Sequence, residues 1–190
     1  RQTMHDDYVE VDCIKDGGGG DKNGKGGGGG GGGEASSTET HIHIEQSHVI
    51  IPSMSQYVPS IIRVVRETAA NNDGGTGGGG GGGNNNKVVV FFPTARMVSF
   101  FADLFNEVVR LPVMELHSKK SQGYRNRVSG QFRECEAGIL FTSDVSARGV
   151  DYPGVTHVVQ LGMPSSREQY IHRLGRTGRA GASGKGWLVL

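Results

Sequence analysis

The sequence predicts an α/β fold, a mostly parallel sheet with helices on both faces, and three observations carry that prediction. From Lys87 onward, short apolar runs rich in β-branched residues alternate with amphipathic segments. Such alternation requires crossover connections, and these make neighbouring strands parallel. The run KVVVFF at 87–92 has no polar alternation, as a strand buried on both faces requires. Polar strings also recur just past the predicted strand ends, where open parallel sheets carry their ligands.

Taken in order, residues 1–16 contain DYVEVDCI, an alternating stretch that reads as the tail of a preceding unit. Residues 17–39 read as a glycine-rich linker, and 74–86 as a glycine and asparagine insertion. Of the 33 glycines, 22 lie in Gly17–Gly20, in Gly24 with Gly26–Gly33, and in Gly74–Gly83 around Thr76. Without side chains to bury, such tracts are expected to be mobile tethers, which leaves about 150 residues to build one core. The domain itself is predicted over 40–190.

Within it, HIHIEQSHVII at 41–51 alternates and then turns continuously apolar, as a strand entering a core does. Val58, Ile61, Ile62 and Val65 have helical spacing, with Ser53 and Gln56 as a capping box. After KVVVFF, closed by Pro93 and Thr94, a helix presents Val98, Phe101, Ala102, Phe105 and Val108 on one face. Then come a strand in PVMELH at 112–117, a helix over 121–132, and strands in AGILFTS at 137–143 and GVTHVVQL at 154–161. Ser165 and Glu168 form the capping box of a helix that Gly175 ends after Leu174, and GKGWLVL at 184–190 is the last strand, with Trp187 in the core. Thr94, His117, Thr142 and Gly162 all fall at or past strand ends, so the motifs are expected to converge on one end of the sheet.

Charge divides the chain more sharply than its net of +1 suggests. Residues 1–83 hold 6 Lys and Arg against 11 Asp and Glu, whereas 84–190 hold 14 against 8. A polyanionic partner for the second half follows from that asymmetry. Cys13 and Cys135 are far apart and form no CxxC pattern, which argues against a disulfide framework or zinc site and for an intracellular, reducing compartment. No apolar run reaches membrane-spanning length, so no membrane partner is expected. The two ends read as cut from something longer.

Two strings carry the chemistry. In HRLGRTGR at 172–179, Arg173, Arg176 and Arg179 recur three apart around Gly175 and Gly178, so several planar guanidinium forks can approach one oxyanion while the glycines admit the backbone. In TSDVSARGVD at 142–151, Thr142 and Ser143 offer hydroxyls to phosphate. Asp151 can accept from sugar hydroxyls or pair with an arginine, and Asp144 can pair with Arg148. A third string, HSKKSQGYR at 117–125, gathers His117, Lys119, Lys120, Gln122 and Arg125 as a backbone-phosphate contact or a solvated charge cluster. His41, His43 and His48 lack a well-spaced further ligand, so no metal site is assigned.

Together these motifs resemble the second RecA-like domain of DEAD-box RNA helicases. KVVVFFPTARM looks like the family's motif IV, Gln122 to Arg125 its QxxR element, TSDVSARGVD its motif V, VVQLGMP its motif Va and YIHRLGRTGR its motif VI. Gly162 and Met163 depart from the acidic residue the family often has before the proline of motif Va. The resemblance implies a RecA-like fold and ATP-dependent RNA remodelling. Arg176 and Arg179 would be the arginine fingers that reach the γ-phosphate, His172 would join them at the catalytic interface, and Gly149 and Asp151 would meet the nucleotide, Asp151 at its ribose. Thr94, Arg96, Gln122, Arg125 and Thr142 would face the RNA backbone, and Asp144 with Arg173 would belong to the interdomain network.

ATP would be the cofactor, its Mg2+ held by a first RecA-like domain in cis. Neither a GKT-type phosphate loop nor a DEAD tetrapeptide occurs in the 190 residues, so negligible ATPase is expected of this chain alone. A monomer is expected. The motif IV and V wording is similar to an organellar, intron-assisting branch, with mitochondrion or nucleus as candidate compartments. A non-enzymatic RNA-binding scaffold, or a DNA helicase of the same superfamily, would carry much of the same surface.

Overall fold

The computed structural model describes residues 44–70, 86–144 and 150–190. The predicted tail at 1–16, the linker at 17–39, the insertion up to residue 85, and His41, His43, Arg148 and Gly149 lie outside the described residues.

Among the described residues six strands form one sheet: β1 (Ile44–Val49), β2 (Lys87–Phe91), β3 (Met114–Leu116), β4 (Gly138–Thr142), β5 (His157–Leu161) and β6 (Gly184–Val189). Their order is β1-β6-β5-β2-β4-β3, and every pairing is parallel. Among the described residues four helices cover it: α1 (Tyr57–Ala69), α2 (Ala95–Asp103), α3 (Gln122–Glu134) and α4 (Arg167–Leu174). This is the α/β sheet with helices on both faces that the sequence predicts, and the central strand β2 is buried throughout.

The alternation of β2 divides the core. Val88, Val90 and Phe92 pack with Ile61 and Val65 of α1, with Val98 and Phe101 of α2, and with Phe105 just beyond it. Val89 and Phe91 face the other way, toward Val128 and Phe132 of α3, Tyr152 and Val158. Trp187, predicted as core, is partly buried against the first cluster. Lys87 opens β2 and is itself buried, its Nζ donating to Arg133 O at 3.1 Å and lying 5.1 Å from the Phe132 ring centroid. Burial pulls its pKa below the ordinary lysine value.

Local signals set the helix starts. Thr94 caps α2 by accepting from Met97 N at 3.2 Å, and Ser121 caps α3 by accepting from Tyr124 N at 3.3 Å. The capping box of α4 stands one residue later than predicted. Ser166 is the cap and accepts from Gln169 N at 3.2 Å, while Gln169 Oε1 accepts from Ser165 N at 2.5 Å. The Ser53 and Gln56 box does not form: a 3-10 turn (Met54–Gln56) leads into α1, and neither residue makes a side-chain cap. Beyond Asp103, α2 continues as a π-helical stretch, Leu104–Val109, which Arg110 ends in the left-handed region at φ 58. Asn106 then secures the descent to β3 by accepting from Val113 N at 2.9 Å. Asn86, from the end of the predicted insertion, donates to Thr68 O and Ala70 O and so closes the end of α1.

Candidate nucleotide and nucleic-acid interfaces

Because all strands run one way, the sheet has a carboxyl end and an amino end, and the candidate residues divide between them. Thr94, His117, Thr142 and Gly162 follow strand ends at the carboxyl end, as expected. The arginines of HRLGRTGR do not join them. Helix α4 starts beyond the carboxyl end of β5 and returns, so its last turn lies at the amino end. Thr177 fixes it there: its buried hydroxyl bonds Val155 O at 2.6 Å and Thr156 O at 3.1 Å, just before β5 begins. The expectation that all motifs converge on one end is thereby corrected.

At the amino end, Arg176 and Arg179 are held in the same way. Arg176 Nε donates to His172 O at 3.3 Å and Arg179 Nε to Gly175 O at 2.8 Å, each reaching the carbonyl four residues back. Arg176 Nη1 then donates to Val150 O at 2.7 Å, and Arg179 Nη1 pairs with Asp151 Oδ1. Consecutive residues of the segment before β5 thus receive the two arginines, and among the described residues neither Nη2 is engaged. Burial, then the charge of Arg179, lowers the pKa of Arg176, with Asp151 and Tyr152 opposing. His172 is exposed beside them.

One residue that the sequence reading passes over builds this corner. Tyr152 is buried, meets Phe132 edge-on at 5.1 Å and bonds Ser129 Oγ at 3.1 Å, so it pins the backbone that carries Val150 and Asp151. Its place directly after Asp151 was the available signal. Gly178, expected to let the backbone approach a ligand closely, instead makes a contact inside the fold. It adopts φ +66, and a Cβ there would stand 2.6 Å from Ile44 Cγ1. Gly175 is the helix cap, at φ -66.

Between the two ends lies an ion pair whose arginine is buried. Arg173, 5% exposed, donates through Nε and Nη2 to Asp144 at 2.6 Å each, and its Cζ lies 5.4 Å from the Phe91 ring centroid. Gln169 Nε2 also donates to Asp144, at 2.9 Å. The pairing foreseen for Arg173 and Asp144 is present and is made within this domain. Arg173 Nη1 and Gln160 Oε1 are buried and have no partner among the described residues.

At the carboxyl end, Thr94 and Arg96 are exposed on the first turn of α2. Gln122 Oε1 accepts from Arg125 Nη2 at 2.5 Å, and Arg125 Nε has no partner among the described residues. Thr142 is not available there: it is buried, and its hydroxyl donates to Leu116 O at 2.9 Å, tying β4 to β3. A threonine on a strand buried on both faces must satisfy its hydroxyl internally. The HSKKSQGYR cluster also divides. His117 is buried, with Nε2 3.0 Å from Ser99 Oγ and 3.3 Å from Glu115 Oε2, and Lys119 N donates to its Nδ1 at 3.3 Å. Lys120 pairs with Glu115, a bond that raises its pKa, while Lys119 is exposed.

The family model for the helicase conserved C-terminal domain matches residues 82–181. The chain belongs to the DEAD-box RNA helicase family, as its C-terminal RecA-like domain. Over 152 residues, 80% of this chain, it is 46% identical to DEAD-box ATP-dependent RNA helicase 31 of Oryza sativa subsp. japonica. Over 100 residues it is 60% identical to DEAD-box ATP-dependent RNA helicase 26 of Arabidopsis thaliana. The chain spans 25% of the first relative and 12% of the second. Among solved structures, domain 2 of the DEAD-box helicase Mss116p bound to an RNA duplex superposes with TM-score 0.62 at 33% identity, covering 78% of this chain and 54% of that one. Mss116p bound to single-stranded RNA and AMP-PNP gives 0.60 at 35%, covering 79% and 28%. These helicase domains share the six-stranded RecA-like architecture described above.

No helix among the described residues is long and apolar enough to cross a membrane.

Proposed function

We propose that this chain supplies the second half of an ATP-dependent RNA helicase, with nucleotide phosphates received at the amino end of its sheet and the RNA backbone at the carboxyl end. The observation that carries the reading is the paired anchoring of Arg176 and Arg179, which fixes both guanidinium groups at Nε and Nη1 and leaves both Nη2 groups uncommitted among the described residues. Donors held in place before charge develops cost little reorganisation when it does. ATP, held with Mg2+ by a first RecA-like domain in cis, would supply the phosphoryl group for transfer to water. This chain's part is to present Arg176 and Arg179 to that group, with His172 at the same interface. The segment carrying Gly149 and Asp151 approaches the nucleotide.

On the RNA side, Thr94, Arg96, Gln122 and Arg125 offer donors to phosphate oxygens without reading bases, which suits remodelling of many duplexes. Asp144 and Arg173 hold α4, the element that spans the two ends, and so couple them mechanically. The RNA-bound structures of Mss116p support RNA as the partner. The chain alone is expected to turn over no ATP at helicase rates, and joining it to a first domain should restore RNA-stimulated hydrolysis. Hydrolysis by the chain alone at those rates, or none after joining to an active first domain, would overturn the reading. Stimulation by DNA equal to that by RNA across a salt series would move it to a DNA helicase.

A further inference from the structure

The geometry at the amino end points to a role for Asp151 that precedes any contact with a sugar. We propose that Asp151 is a counter-ion latch on Arg179: its carboxylate holds the guanidinium that an incoming terminal phosphate must recruit, so phosphate arrival exchanges one anion for another. The inference rests on the nucleotide reading of this site and adds the device that conditions it.

Four observations support the latch. Arg176 and Arg179 are seated on consecutive residues, at Val150 O and Asp151 Oδ1, so two cations share one corner and the carboxylate there offsets their mutual repulsion. Among the described residues, Asp151 is the acidic side chain that pairs with either. Tyr152, buried in the core directly after it, prevents the segment from following Arg179 when the guanidinium moves to a ligand. The pair is also half solvated, with side-chain exposures of 39% for Arg179 and 67% for Asp151. Exposed pairs of this kind shift an equilibrium by about fivefold at most, so a phosphate, which takes arginine bidentately and carries more charge, outcompetes the carboxylate.

Arg176 is restrained differently: its second anchor is the neutral Val150 carbonyl, and Asp151 acts on it through charge without pairing with it. The two arginines are therefore unequal: Arg176 is ready for an anion, and Arg179 must be released. Once released, the carboxylate of Asp151 becomes a free acceptor at the same corner, available to a hydroxyl donor such as a ribose. A ligand whose phosphate chain is too short to reach Arg179 leaves the latch closed and that acceptor occupied. This would make Asp151 a sensor of the terminal phosphate.

The test is a double-mutant cycle on this chain, titrated with inorganic tripolyphosphate by calorimetry at low salt. Asp151→Asn should bind about two- to fivefold more tightly than the parent, while Asp151→Glu, which keeps the carboxylate, should match the parent. Placed on Arg179→Ala, Asp151→Asn should give no gain. An equal gain in both backgrounds would show a general charge effect rather than a latch, and no measurable gain in the parent background would also overturn it. Thermal melts of the parent and its four variants check that they stay folded, and Asp151→Ala, expected to show the same gain, takes the place of Asp151→Asn if that chain does not fold. The cycle reads only the pair, so its failure is distinguishable from failure of the hydrolysis assay on the joined protein.

Discussion

The two ends of the sheet hold their cations differently. At the carboxyl end, Arg96 and Lys119 stand exposed on the surface, and among the described residues the Arg125 side chain is tied only to its helix neighbour Gln122. At the amino end, Arg176 and Arg179 are anchored at two points each, to their own turn and to the segment before β5. Loose cations suit a backbone met in any sequence, where charge matters more than angle. Anchored ones suit a single developing charge, where a misplaced donor loses much of its effect. Helix α4 joins the two ends, and the Asp144–Arg173 pair ties it to the segment just past β4.

That pair is the first place to break the comparison. Asp144→Ala leaves a buried guanidinium without its carboxylate, which costs about 3 kcal/mol of folding stability, read from urea unfolding. A loss below about 1 kcal/mol would show that α4 is held by packing alone. Next, Gly178→Ala forces a side chain into the left-handed region and against Ile44, with an expected loss of about 2 kcal/mol in the same assay. RNA binding at the opposite end should be unaffected while the domain remains folded.

Thr142→Val sharpens the carboxyl end. Its hydroxyl bonds Leu116 O inside the sheet, so the change should cost about 1 kcal/mol of stability and leave RNA affinity in a filter-binding titration within about twofold. A large loss of affinity without loss of stability would return Thr142 to the RNA surface. The smallest effect is electrostatic. Lys120 has its pKa raised in the folded state by Glu115, so the stability it contributes is complete below the ordinary lysine range and is lost as pH rises through the folded value. Thermal melts between neutral pH and about pH 11 should show the parent losing up to about 1 kcal/mol relative to Lys120→Met.

Much of this was legible in the sequence. The unbroken apolar run of β2 and the capping residues Thr94 and Ser121 locate the central strand and two helix starts, because they act within a few residues. The division of the motifs between two ends was not legible, since it depends on how far α4 runs back across the sheet. Nor was the inward turn of Thr142, which is set by neighbours on β3 distant in sequence. Lys87 shows the same limit: the run KVVVFF does not say where its ammonium finds a partner, and a carbonyl on α3 takes it into the core. The cap of α4 fell one residue late because Ser165 and Ser166 offer equivalent hydroxyls and only the backbone decides between them.

The central claim is that phosphate catalysis and RNA contact sit at opposite ends of one sheet. It is tested most directly by placing Arg179→Ala and Arg125→Ala in this chain joined to an active first domain, and measuring ATP turnover at saturating RNA beside RNA affinity. Arg179→Ala is expected to lower turnover by roughly a hundredfold or more with RNA affinity within about twofold. Arg125→Ala is expected to weaken RNA binding several-fold while turnover at saturating RNA largely persists. Equal losses in turnover and affinity for Arg179→Ala would contradict the separation.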